Sequence, residues 1–160
     1  MAEAIGLGAS VIAVIGLCAN IASQCVKYYA NVKNAKDDIA LLQKESIQLK
    51  TTLKHVQQLL DSKKLKPSQQ LRDGVEDCLS QLSGLETKLD PGKARKVMNH
   101  FWIRAFKWPF KSKEVAGIVK NLGRHRDMIS LSLQAVQAYV RPFYPIDKKL
   151  TILRLQYTSP

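Results

Sequence analysis

The chain has 160 residues, of which 46% are hydrophobic and 24% charged, and its formal net charge is +12. A chain of this length and apolar content can bury one hydrophobic core, which argues against a disordered protein and indicates a single domain. Its three cysteines, Cys18, Cys25 and Cys78, form neither a disulfide framework nor a metal-binding spacing, which is typical of buried thiols in a reducing compartment.

The positive charge is concentrated in the C-terminal half of the chain. Residues 1–90 carry 11 Lys or Arg against 10 acids, whereas residues 91–160 carry 14 against 3. Such a basic half predicts an acidic partner, which could be lipid head groups, nucleic acid or an acidic protein surface.

The first segment has no formal charge from Ala4 to Val26 and allows four interpretations. It could be a signal peptide, a permanent membrane anchor, a buried core helix, or a helix that moves between core and membrane. The missing basic n-region argues against a signal peptide. As a helix, Ile5–Ala22 would be roughly 27 Å long, just short of the ~30 Å hydrocarbon thickness, which argues against a permanent anchor.

Small residues share one face of this first helix, and larger apolar residues cover the rest. The small stripe is Gly6, Ala9, Ala13 and Gly16. A helix that is apolar nearly all round must be enclosed by other helices or by lipid. The stripe would allow close helix association in a membrane, or merely a tight crossing in the centre of a bundle. The residues expected to enter lipid are Ile5, Leu7, Val11, Ile12, Val14, Ile15, Leu17 and Ile21.

Three further apolar stripes of helical period follow along the chain. The first comes after the acidic turn Asp37–Asp38, the second after Ser68 and the third after Ser112, both of which are expected helix N-caps. These helices predict an all-α fold, an antiparallel bundle of four to five helices with a hydrophobic N-terminal helix. The bundle is expected over residues 1–141, and 142–160 as a tail or the start of a linker. The three stripes consist of Ile39, Leu42, Leu49, Leu53, Val56 and Leu60; Leu71, Val75, Cys78, Leu82, Leu85 and Leu89; and Val115, Ile118, Leu122, Ile129, Leu133, Val136 and Val140.

A basic, aromatic block lies between the second and third stripes, over residues 93–113. Interfacial aromatics beside cations are typical of a membrane surface and also of single-stranded nucleic-acid binding. Alternatively, the aromatic residues anchor a loop on the core beneath a solvated basic rim. The cations expected to bind an anionic surface are Lys93, Arg95, Lys96, Arg104, Lys107, Lys111 and Lys113, and the expected interfacial aromatics are Trp102 and Trp108.

Residues that carry catalytic chemistry are missing from the sequence. It contains no phosphate-binding loop, no G-x-S-x-G and no H-E-x-x-H. The three histidines, His55, His100 and His125, lie far apart and have no Cys or carboxylate at ligand spacing. We therefore expect a protein without enzymatic activity, metal or cofactor.

Two stretches, KYYANVKNAKDDIALLQKESIQLKTTLKHVQQLL and FKWPFKSKEVAGIVKNLGRHRDMISLSL, carry a family resemblance. Together with the apolar first helix, they resemble the fungal N-terminal domain of STAND (NLR-like) receptors, the HeLo-like group. The resemblance covers roughly residues 1–141 and depends most on Lys107–Phe110, Lys113–Glu114 and Arg124–Arg126. Unlike the full receptors, this sequence contains no NACHT-type NTPase and no repeats.

The resemblance implies a cell-death or signalling effector of fungal heterokaryon incompatibility and innate immunity. It would be cytoplasmic at rest and would oligomerise and perturb membranes through its N-terminal helix once activated. The alternative is a non-lytic adaptor bundle that pairs with a homologous receptor bundle or a regulatory partner. The expected partners are the chain itself or that receptor bundle, and an anionic membrane surface on activation. A nucleic-acid partner rests on charge alone and is not expected.

Overall fold

The computed structural model describes residues 2–90 and 107–140, and within them all side chains except those of 2–5, 136–137 and 139–140. Four α-helices make up nearly all of this part of the chain, and it contains no strand. The predicted all-α fold with an apolar N-terminal helix is confirmed. The helices are α1 (Ala2–Asn31), α2 (Lys36–Asp61), α3 (Gln69–Leu89) and α4 (Ser112–Val140).

The four helices alternate in direction but are not arranged in chain order around the bundle. Helix α1 packs on α2 and α3, and α4 packs on the same two helices from the opposite corner. The contact between Asp38 and Ser112 shows that α2 and α4 begin at the same end of the bundle. The α2–α3 connection therefore crosses the bundle diagonally, and α1 has two neighbours among the described helices.

Backbone hydrogen bonds and one side chain determine where α2 ends and α3 begins. The backbone N–H groups of Lys63 and Lys64 donate to the carbonyls of Leu60 and Leu59, the pattern of a Schellman motif. Lys63 takes the left-handed conformation at φ 55° that this motif requires. Ser68 then caps α3, because its hydroxyl accepts a hydrogen bond from the Leu71 N–H at 3.2 Å. The predicted N-cap at Ser68 is confirmed.

The start of α4 differs from the sequence prediction. Ser112 is already inside the helix, and its hydroxyl donates to Asp38 Oδ1 at 3.0 Å. The N–H of Lys111 instead donates to Glu114 Oε2 at 3.0 Å, so Glu114 supplies the reciprocal bond of a capping box. The prediction that Ser112 caps α4 is therefore wrong, and its side chain links α4 to α2.

The predicted apolar stripes form the core of the bundle. Those of α2 and α3 are buried with the exception of Leu60, which is half-buried. Ser46 interrupts the α2 stripe and is nonetheless fully buried, because its hydroxyl donates to the Leu42 carbonyl at 2.8 Å. In α4, Val115, Leu122, Ile129 and Leu133 are buried, Ile118 is half-buried, and the side chains of Val136 and Val140 lie outside the described residues.

Candidate functional site: the N-terminal helix and its basic end

The inner face of α1 is a continuous buried seam. Its members recur at alternating intervals of four and three, the spacing that keeps one helical face against its neighbours. Each is between 0% and 4% exposed, so the seam is packed along the whole described helix. The seam consists of Leu7, Val11, Val14, Cys18, Ile21, Cys25 and Tyr28.

The predicted small stripe lies on the opposite, outer face of α1. Gly6, Ala9, Ala13 and Gly16 are all exposed, and a Cβ added at either glycine would meet nothing within 4 Å. Among the described residues, these glycines therefore meet no helix in a tight crossing, and α1 lies at a corner of the four described helices. The alternative of a tight crossing in the centre of a bundle is not the observed one for this part of the chain.

The eight residues expected to enter lipid are divided between the two faces of α1. Leu7, Val11, Val14 and Ile21 are buried, and Ile15 and Leu17 are half-buried against the core. Ile12 is 56% exposed, while the side chain of Ile5 lies outside the described residues. Only part of the expected set is therefore available to a membrane without movement of α1.

Helix α1 is long and apolar enough to cross a membrane, judged by length and composition alone. The qualifying stretch is Gly6–Asn31, and only 28% of its most apolar window is buried in the bundle. The core helices of soluble proteins, which are mostly buried, meet the same criteria of length and composition. The buried share of α1 corresponds to one helical face, the inner seam.

An aromatic cluster holds the C-terminal end of α1. The ring of Trp108 meets Tyr28 at 5.3 Å and Phe110 at 5.2 Å between centroids, both edge to face. The Tyr28 hydroxyl donates to the Leu89 carbonyl at 3.2 Å, which joins α1 to the end of α3. Burial, with a smaller contribution from Asp90, raises the pKa of Tyr28.

Trp108 does not lie at a surface in this conformation. It is only 9% exposed, and its indole N–H has no hydrogen-bond acceptor among the described residues. The prediction of Trp108 as an interfacial aromatic is therefore corrected. For Trp108 and Phe110, the alternative of aromatics that anchor a loop on the core is the observed one, and Trp102 lies outside the described residues.

Exposed lysines surround this aromatic cluster. Lys107, Lys111 and Lys113 are exposed at the start of α4, and Lys33 and Lys36 are exposed beside them at the start of α2. The other predicted cations, Lys93, Arg95, Lys96 and Arg104, lie outside the described residues. The structure thus brings together lysines from two separate parts of the sequence at the end of the bundle where α1 ends.

A polar cluster between α2 and α4 escaped prediction from the sequence. Arg126 Nη1 lies 2.8 Å from Glu45 Oε1 and also donates to Gln48 Oε1, while its Nη2 lies 3.2 Å from Asp127. Glu45 Oε1 is buried without an aligned hydrogen bond, so its contact with Arg126 is an ion pair only. The available sequence signal was the pair Glu45 and Gln48, three residues apart on one helical face.

Nothing in the described residues points to a reactive or metal-binding centre. Residues 2–90 and 107–140 hold no cluster of three His, Cys, Asp or Glu able to bind a metal ion. Cys18, Cys25 and Cys78 are buried, and burial raises the pKa of each to about 12. His125 lies against the side-chain nitrogen of Gln81 at 3.1 Å on a partly exposed surface.

The chain matches no protein-family model, no curated protein and no solved structure.

Proposed function

We propose that this chain is a HeLo-like signalling domain of the fungal NLR type, which self-associates and perturbs membranes through α1. The observation that carries the proposal is that the charge-free stretch Ala4–Val26 of α1 is long enough to span a bilayer and leaves its apolar outer face exposed. A helix that only closes a soluble core needs one apolar face. A helix that exchanges the core for lipid needs apolar residues on every side.

The free-energy cost of releasing α1 from the bundle is offset when α1 enters lipid. Burial of one Val, Leu or Ile side chain stabilises a fold by about 1.5–3 kcal/mol, so releasing the inner seam into water would cost on the order of 10 kcal/mol. Hydrocarbon is as apolar as a protein core, and transfer of the seam into lipid would offset most of that cost. Release of α1 is therefore expected at a membrane and not in solution.

The exposed lysines at the C-terminal end of α1 support an anionic membrane as the target. Each Lys near an anionic bilayer contributes roughly 1 kcal/mol to binding. Five exposed lysines, Lys33, Lys36, Lys107, Lys111 and Lys113, can thus bring the bundle to the surface before α1 moves.

The test is dye release from anionic liposomes by the full chain and by Ala13→Glu. Ala13 is exposed, so the variant should fold normally, but a carboxylate at the centre of an inserted helix costs roughly 2.5–3.5 kcal/mol. We expect dye release to fall at least tenfold. The matched control is Ala40→Glu, which adds the same charge at an exposed position of α2 and should release dye like the wild type.

Two outcomes would contradict the proposal. One is a wild-type protein that binds anionic liposomes and releases no dye, and the other is equal release by Ala13→Glu and the wild type. The first would favour the alternative, a non-lytic adaptor bundle. The specific observation in favour of that alternative is the open surface at Gly6 and Gly16, which another helix could approach closely.

A further inference from the structure

Helix α1 carries a second heptad seam, on its outer side. Its positions recur at intervals of three and four, like those of the buried seam, but they stand roughly 150° around the helix from it at 100° per residue. The outer seam also differs from the small stripe, because it contains large apolar residues. It consists of Ala9, Ile12, Gly16, Ala19, Ser23 and Val26.

Five of the six members of this outer seam are exposed in the described part of the structure. Ile12 is 56% and Val26 55% exposed, Ala19 is half-buried, and the other three members are exposed. A Cβ placed on Gly16 would meet nothing within 4 Å. Large exposed aliphatic residues in heptad register are what one helix presents to another in a coiled coil.

We propose that the folded bundle forms a two-fold symmetric dimer in which the outer seams of two α1 helices pack antiparallel. In that arrangement Ala9 lies opposite Val26 of the second copy, Ile12 opposite Ser23, and Gly16 opposite Ala19. The four outer layers pair a large side chain with a small one, and the two central layers pair glycine with alanine, so the two helices approach most closely at the two-fold axis.

A parallel pairing of the same seams packs less well. It would place Ile12 on Ile12 and Gly16 on Gly16, so thick layers would alternate with thin ones and leave voids. The antiparallel pairing also places each helix N-terminus near the C-terminus of the other helix, which the helix dipoles favour. A self-complementary surface of this kind is the usual basis of a two-fold dimer.

The size of the seam predicts a weak dimer. From Ala9 to Val26 the seam is about 27 Å long and about one helix diameter wide, so the contact is well below the ~1,200 Å² of a stable interface. The net charge of +12 adds repulsion between the copies. Association should therefore strengthen with protein concentration and with added salt, which screens that repulsion.

This dimer specifies the geometry of the self-association in the proposed function. It rests on that function in this one respect. The dimer requires no lipid and leaves the inner seam in the core. Ala13 lies outside the outer seam, so Ala13→Glu should lose dye release and keep the dimer. Failure of the membrane function and failure of the dimer are therefore separate results.

The test is disulfide trapping in lipid-free, high-salt buffer with two single-cysteine additions, Ala9→Cys and Val26→Cys, one of them tagged. The native thiols are buried and contribute no background. We expect the mixture to give the mixed Ala9→Cys/Val26→Cys dimer, and each variant alone to give almost none, since like positions would be about 25 Å apart. A matched control pair, Ala40→Cys and Leu131→Cys, changes exposed positions away from the seam and should not be trapped.

Sedimentation over a concentration series provides the second readout. Ile12→Glu should shift the protein to monomer, and Leu131→Glu, an equally drastic change at an exposed residue of α4, should leave the dimer in place. Trapping of like with like would overturn the antiparallel geometry. Trapping no greater than in the control pair, trapping only with liposomes, or a wild-type protein that stays monomeric at the highest concentration would overturn the dimer.

Discussion

At the scale of single residues, polar side chains within the bundle are placed by specific partners. Arg126 of α4 reaches Glu45 and Gln48 of α2, and the Glu45 side chain is only 12% exposed. Loss of one partner from such a pair leaves a charge without compensation, which is more costly than loss of an exposed pair. The cluster therefore fixes how α4 lies against α2, and no apolar stripe could have indicated it.

The three thiols are the buried titratable groups with the clearest consequence. Burial is the main cause that raises the pKa of Cys18, Cys25 and Cys78 from 9.0 to about 12 in the folded chain. Lys50 opposes the shift at Cys18, whereas Cys18 and Asp77 add to it at Cys78. Because the folded chain favours the neutral thiols, their contribution to stability is complete below pH 9 and is lost as the pH rises from 9 to about 12.

We therefore expect the free energy of unfolding to fall with rising pH above about pH 9. Each thiol can contribute up to about 1.4 kcal/mol per pH unit to that slope. Urea unfolding of the wild type and of Cys25→Ala, measured at several pH values from neutral to alkaline, isolates the thiol contribution from that of lysines and tyrosines. The variant should be less stable at neutral pH but should have the shallower slope. An identical slope in both proteins would show that the buried thiols do not titrate differently on folding.

At the scale of elements, the helices differ in which residues determine where each helix begins. Helix α3 begins where Ser68 supplies a cap, and its buried face follows directly from the apolar stripe in the sequence. Helix α2 has Ala35 before its first turn and no side-chain cap, but Asp37 and Asp38 lie in that turn and favour the helix dipole. The start of α4 depends on Glu114 from inside the helix and not on the serine expected there.

Ser68→Ala should destabilise the bundle by about 1 kcal/mol, because the Leu71 N–H would lose its acceptor. The matched control is Ser80→Ala, at an exposed position inside α3, where alanine is the better helix former and should be neutral or slightly stabilising. Thermal and urea denaturation of the two variants measures the difference. Equal stabilities for the two would mean that the Ser68 cap contributes nothing to the fold.

At the scale of the whole molecule, a group of exposed lysines lies at each end of the bundle. Lys33, Lys36, Lys107, Lys111 and Lys113 lie at the end where α1 ends, and Lys63, Lys64 and Lys66 lie in the α2–α3 connection at the opposite end. The first group is the one next to the aromatic cluster that holds α1. If the bundle approaches an anionic membrane with this end first, the two groups of lysines should contribute unequally to membrane binding.

Reversal of Lys107, Lys111 and Lys113 to Glu should greatly weaken binding to anionic liposomes at low salt, since each lysine contributes roughly 1 kcal/mol. The fold should persist, because these side chains are exposed and because Lys113 lies in the first turn of α4, where acids are favoured. Reversal of Lys63, Lys64 and Lys66 makes the same change in net charge at the other end and is the matched control. Liposome co-sedimentation that falls equally in both variants would contradict an oriented approach and would indicate attraction by net charge alone.

The sequence by itself determined the secondary structure and the interior of α2 and α3. Helical period is a local property, and with one apolar stripe on each of these helices only one face can turn inward. The same reasoning identified the Ser68 cap and the charge-free stretch Ala4–Val26. It could not predict the contacts of Ser112, Glu114 or Arg126. Ser112 and Arg126 have partners on another helix, and Glu114 accepts from a backbone N–H just before its own helix.

Only the tertiary structure decided which side of α1 is the inner one. Both sides carry an uncharged heptad seam, so period and charge cannot distinguish them. The seam from Leu7 to Tyr28 is bulkier than the seam from Ala9 to Val26, and burial of more apolar area stabilises the fold more. Helices α2 and α3 therefore enclose the bulky seam. Because α4 packs at the opposite corner, no described helix remains to cover the small one.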